Sequence, residues 1–209
     1  MKAHTKKKQA QMTPDSSLQE LKNGNHRFIQ KKGIERDLMQ QVGETSKGQF
    51  PHSTILSCID SRVSSELIFD QGIGDIFSIR IAGNFVNEDI LGSMEFACKL
   101  AGTKLVVVLG HTACGAVKGA CDHARLGNLT ALIKKIEPAV AAVVEPKEEG
   151  LRNSVNIDFV NEVAKKNVLM TLDNIRANSE VLYEMEQKRE IKIIGGMYDI
   201  NTGTVSFYK

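Results

Sequence analysis

The 209-residue sequence predicts an α/β fold: a mainly parallel central β-sheet of four to five strands flanked by helices, with an N-terminal helical arm for dimerisation. Three observations carry that expectation. Residues 104–110 (Lys-Leu-Val-Val-Val-Leu-Gly) are a near-continuous apolar run of strand length, as in parallel strands buried on both faces. Residues 53–57 (Ser-Thr-Ile-Leu-Ser) are a second, β-rich run. Strand-like and helix-like segments then alternate along the chain, the pattern of right-handed crossovers.

The elements follow in order. Residues 1–12 are polar and lysine-rich and are expected to form a disordered basic tail, with a single domain over 13–209 whose residues 13–46 make the arm. Thr13-Pro14-Asp15 marks a helix start, Thr capping and Pro in the first turn. That helix is expected to break at Asn23-Gly24, with a second helical piece over Arg36 to Val42. A short helix over Ser64 to Phe69 follows the first strand, and Asp75 to Ile81 makes the second. Ile90, Leu91, Met94 and Ala97 recur at helical spacing within Asn87 to Leu100. The third strand is Leu105 to Leu109, and a helix runs through Gly115 to Gly119. A helical region from Leu129 to Lys188 is interrupted near Pro146 to Gly150. Ile191 to Gly195 is the fourth strand and Gly203 to Tyr208 an edge strand.

Composition narrows the function. Hydrophobic residues at 42% and charged residues at 25% suit a globular protein. A net charge of +2, with no basic stripe interleaved with aromatics, argues against a nucleic-acid partner. No apolar stretch has the length of a membrane span. Four cysteines, two of them in motifs rich in other metal ligands, point to a reducing compartment rather than a disulfide scaffold. The first thirteen residues lack the apolar core of a secretory signal. A cytoplasmic location is therefore expected; processing of the N-terminus would make the periplasm the alternative.

The chemistry sits in Cys58-Ile59-Asp60-Ser61-Arg62 and His111-Thr112-Ala113-Cys114. Two thiolates and an imidazole are a zinc-ligand set. Both motifs fall just past the carboxyl ends of predicted strands, where open α/β sheets place ligands. If those strands are neighbours, about 4.8 Å apart, Cys58, His111 and Cys114 can share one Zn²⁺ per subunit. The fourth position is then either water or Asp60. Arg62 gripping Asp60 in a charge-assisted pair draws the carboxylate off the metal; breaking the pair lets Asp60 coordinate and close the site. The bland competitor is a structural zinc clamp, but such sites favour tighter Cys-x₂₋₄-Cys knuckles on small folds.

Cys-x-Asp-Ser-Arg followed by Gly-His-x-x-Cys-Gly resembles the β-class carbonic anhydrases. The resemblance runs from about Leu18 to the C-terminus and includes Leu21 to Phe28, Ile79 to Asn84 and Gly195 to Asp199. It implies zinc-dependent, reversible hydration of CO₂ to bicarbonate and a proton by attack of zinc-bound hydroxide, with the Asp60–Arg62 dyad orienting the hydroxide and gating the metal. Two thiolates donate more charge than the three imidazoles of the best-known carbonic anhydrase sites, so a less acidified water is expected. The resemblance further implies that Gln49 and the Gly115 N–H bind substrate, and that Phe77, Ala82 and Phe96 line an apolar cleft, Phe96 being contributed across a dimer. Phe96 stands where the plant-type pattern carries Tyr. One bacterial subgroup holds an inhibitory bicarbonate with Trp, Arg and Tyr; the matching positions are Ile55, Arg80 and Tyr198, and with no Trp in the chain that site is not expected. The family builds homodimers that can pair into homotetramers. The alternatives are a CS₂/COS hydrolase with the same zinc site, and a non-catalytic zinc module, which would be expected to lack Asp60 or Arg62.

Overall fold

The strand β3 (Leu105–His111) is buried at every position, and its alternation separates two cores. Val106 and Val108 pack with Met94, Val168, Leu172 and Ile175 on one face. Leu105, Val107 and Leu109 pack with Leu21, Ile55, Ile68 and Phe69 on the other. Both faces are covered, which is why the sequence there does not alternate. Burying each such side chain contributes about 1.5–3 kcal/mol.

The computed structural model describes residues 2–208. Their sheet has the order β2-β1-β3-β4-β5. β1 (Ser53–Ser57), β2 (Ile76–Arg80), β3 and β4 (Lys192–Tyr198) are parallel, and β5 (Val205–Tyr208) pairs antiparallel with β4. Strand β1 connects onward to β2 on one side, whereas β3 connects to β4 on the other. The carboxyl ends of β1 and β3 therefore flank the topological switch point, the crevice where open α/β sheets hold ligands.

The helices are α1 (Lys6–Gln11), α2 (Pro14–Ile29), α3 (Leu38–Thr45), α4 (Ser65–Ile68), α5 (Glu88–Glu95), α6 (Gly115–Cys121), α7 (Leu129–Lys134), α8 (Glu137–Ala142), α9 (Ile157–Asn178) and α10 (Glu180–Gln187). No described helix is long and apolar enough to cross a membrane. The Thr13 cap is present as a reciprocal pair with Ser16.

Three expectations are corrected. Residues 6–11 are a helix capped by Thr5, not a disordered tail. The lysines face solvent, but Gln9 turns inward and its Nε2 donates to Pro51 O and Ala101 O at 2.6 and 2.8 Å. One buried amide satisfying two carbonyls anchors a segment whose composition reads as solvated. Secondly, α2 runs through Asn23-Gly24 without a break. Gly24 is there for clearance, since a Cβ at that position would lie 1.7 Å from Phe69 O. Thirdly, the helix from residue 88 changes to a π-helical turn over Phe96–Leu100, Ala101 N–H donating to Phe96 O.

Candidate metal centre and active site

Backbone register assembles the centre. Ser57 of β1 pairs with Leu109 of β3, which puts Cys58 beside Gly110 and one residue from His111. His111 is itself the last residue of β3, two residues beyond the expected end, and pairs with Tyr198 of β4. The chain then turns sharply. Ala113 takes φ +52°, a left-handed conformation costly for a residue with a Cβ, and the turn delivers Cys114 to the cap position of α6.

The ligand atoms of Cys58, His111 and Cys114 lie within 4.8 Å of one another, and all three residues are buried. The thiol sulfurs are 3.9 Å apart. Two sulfurs about 2.3 Å from one tetrahedral ion lie about 3.8 Å apart, so the spacing fits zinc. The imidazole fits as well. His111 Nδ1 is 3.0 Å from Thr112 O, and a carbonyl can only accept, so Nδ1 carries the proton. That leaves the Nε2 lone pair free, and Nε2 is buried without a hydrogen-bond partner. A buried acceptor of this kind, facing two thiols, is the signature of a metal ligand.

Electrostatics prepares one thiol more than the other. Cys58 is pulled below the usual thiol range, chiefly by the hydrogen bond from Cys114, against the cost of burial and with help from the Gly83 N–H. Cys114 moves the opposite way, because its proton is held against Cys58 and it is buried. Gly83, at φ +81°, aims its N–H at Cys58 Sγ from 3.4 Å. A Cβ there would lie 2.3 Å from Ile136 Cδ1, so both backbone angle and space require glycine.

Asp60 stands beside the centre and is gripped by Arg62. The guanidinium Nε and Nη2 donate to Oδ1 and Oδ2 at 2.9 and 2.7 Å, and the Arg62 backbone N–H adds 3.0 Å to Oδ1. Arg62 holds this carboxyl well below the usual carboxylate range. Asp60 Oδ2 is still only 3.9 Å from His111 Nε2. Arg80 fixes the same loop by its backbone, Nε donating to Cys58 O at 3.0 Å and Nη2 to Asp60 O at 2.7 Å. Its guanidinium is thus directed at the loop, while Ile55 is sealed inside β1 and Tyr198 is buried.

A cavity of about 340 Å³ opens over the centre, lined by Cys58 and Asp60 and walled by Ile59, Ala82, Ala116 and Ile133. Gly115 also lines it. Of the expected pocket residues, Ala82 and Gly115 are therefore beside the metal ligands. Phe77 and Phe96 instead face each other edge-on at 6.3 Å in a separate groove along edge strand β2. Gln49 is exposed in the loop before β1. Sequence reasoning misses the Gly83 N–H and the loop clamp by Arg80. The run Ile79 to Asn84 stands out only as a family signature, yet a glycine followed by asparagine after a strand is a signal for left-handed backbone.

An open α/β sheet with two thiols, an imidazole and an arginine-held carboxylate at its switch point defines a candidate metal-binding site of the thiolate–imidazole kind. Residues 53–205 match the sequence pattern of the carbonic anhydrase family. The chain is 33% identical to carbonic anhydrase 2 of Mycobacterium tuberculosis over 195 residues, covering 91% of this chain and 90% of that one. It is 30% identical to a carbonic anhydrase of Mycolicibacterium smegmatis, covering 92% of each. Its fold superimposes on the β-carbonic anhydrase CcaA with a TM-score of 0.71 and 26% identity, covering 92% and 95% of the two chains. The chain belongs to the β class of the carbonic anhydrase family.

Proposed function

We propose that this carbonic anhydrase hydrates CO₂ reversibly to bicarbonate at a zinc ion held by Cys58, His111 and Cys114, with Asp60 and Arg62 as the catalytic dyad. The observation that carries the reading is the convergence of the unpartnered His111 Nε2 with the two thiols, beside a carboxylate held off them by an arginine. Bound there, zinc would acidify water and so supply the nucleophile.

The chain's own groups do the rest. Asp60, kept ionised and fixed by Arg62, is an acceptor that can orient the O–H of water entering the site. Freed from Arg62, the same carboxylate would become a metal ligand and shut it. The wall of Ile59, Ala82 and Ile133 suits CO₂, which has no dipole and gains little from hydrogen bonds. The Gly115 N–H, at the start of α6, is a donor for an oxygen of bicarbonate.

Phe77, Phe96 and Gln49 are assigned to the substrate cleft through a second copy of the chain. Phe28, Leu38, Met39 and Val42 of the N-terminal arm and Phe96 leave apolar side chains exposed, as a subunit contact would require. A sedimentation mass equal to a single 23.0 kDa chain would exclude this assembly. The cytoplasm is the proposed location, supported by four buried cysteines, none of them in a disulfide.

The functional test is stopped-flow CO₂ hydration by zinc-loaded protein from about pH 6.5 to 9. Turnover rising with pH is expected. Absence of hydration with zinc bound, and sulfide release from CS₂ or COS instead, would transfer the site to the hydrolase alternative.

A further inference from the structure

Helix α9 (Ile157–Asn178) crosses behind the metal centre, and two of its four asparagines, Asn161 and Asn167, reach the centre from a stretch otherwise rich in core side chains. Each touches a different half of the centre. Asn161 Oδ1 accepts the N–H of Ala113 at 2.8 Å, and Ala113 is the left-handed residue between His111 and Cys114. Asn167 Nδ2 donates to Gly83 O at 2.8 Å, and Gly83 is the left-handed residue whose own N–H points at Cys58 Sγ. Asn167 is only 3% exposed, a polar group kept inside the core next to Val163, Ala164 and Val168.

We infer that Asn161 and Asn167 are positioning residues for the metal ligands. Asn161 holds the turn that brings His111 and Cys114 together, and Asn167 holds the residue that hydrogen-bonds Cys58. The roles of the two amides are opposite, and their partners dictate them: an N–H needs the amide oxygen, a carbonyl needs the amide nitrogen. Groups that orient ligands from outside control metal affinity, and an N–H bond to a thiolate reduces the charge it gives the metal. One rigid helix thus ties together the loops after β2 and β3, two strands that β1 separates in the sheet.

The opposite polarity gives a distinctive test, which rests on Cys58, His111 and Cys114 being the ligands. In the full-length protein, Asn161→Asp keeps the acceptor and Asn161→Leu removes it; Asn167→Asp sets a carboxylate against a carbonyl, and Asn167→Ala simply deletes the donor. Zinc affinity is measured by chelator competition, the ligand field by the thiolate-to-metal absorption of the Co²⁺-loaded protein, and stability by melting without metal. N161L, N167D and N167A are expected to bind zinc roughly 10- to 100-fold more weakly with altered cobalt bands, N161D recovering to within about threefold of the parent. The inference is overturned if N161L and N167A keep the parent affinity and cobalt spectrum whatever their melting temperatures, or if N161D is as weak as N161L. Should neither Asn167 variant fold, the Asn161 pair alone decides. A parent protein with no thiolate–cobalt absorption would overturn the ligand set itself, whereas unaltered variants overturn only the role of the asparagines.

Discussion

Replacing Arg62 with Ala is expected to leave zinc bound while releasing Asp60 toward it. Two guanidinium hydrogen bonds are lost, at 2.9 and 2.7 Å. Bonds to charged groups are worth about 1.5–3 kcal/mol each, but the Arg62 side chain is 51% exposed against 14% for Asp60. Solvent screening therefore calls for about 1 kcal/mol per bond, or about 2 kcal/mol in all. That corresponds to about a 30-fold shift away from the held carboxylate. Hydration by R62A should accordingly fall roughly 10- to 30-fold, with metal content unchanged. The sign of the pH dependence follows from the depressed pKa of Asp60. Its stabilising contribution is complete above the unfolded carboxyl value, about 3.9, and is lost only as pH falls through the lower folded value. Between about pH 6.5 and 9 the dyad therefore does not titrate. The decisive assay is a double-mutant cycle in stopped-flow hydration. If Arg62 acts by holding Asp60, D60A and D60A/R62A are equally impaired. Losses that multiply would mean that Arg62 works on substrate directly, and the reasoning would fail.

Cys58→Ala should remove zinc from the purified protein, read by elemental analysis; retention of one zinc per chain would undo the ligand assignment. Gly24→Ala forces a Cβ against Phe69 O and should cost about 3 kcal/mol in urea unfolding, a loss under about 1 kcal/mol showing that α2 can slide. His4 provides the pH-dependent case. Burial holds it down at about 4, opposed by Asp75 and assisted by Lys8 and His52. Since the folded value lies below the unfolded 6.5, stability is lost as pH falls from 6.5 toward 4. Between about pH 7 and 5 the native protein should lose roughly 1–2 kcal/mol more than His4→Gln. Equal slopes for the two proteins would show that protonated His4 is tolerated in place.

The Cys58, His111 and Cys114 cluster of the proposed metal centre is legible in the sequence itself, because zinc chemistry draws on few residue types and each motif is short. Cys58, Asp60 and Arg62 fall within five positions, and His111 and Cys114 within four. The sheet is equally plain, since β3 lies between two helical layers and its apolar run records that burial directly. Local composition misleads where one side chain outweighs it. Gln9 turns a lysine-rich segment into a docked helix, and Gly24 serves clearance rather than a helix break. Tertiary structure alone decides what surrounds the ligands. Arg80, Gly83, Asn161 and Asn167 reach the centre from a second strand, the loop after it and a distant helix. Hydrogen bonds across 20 to 84 positions of chain leave no period or spacing in a sequence, because they depend on where the backbone has already been packed.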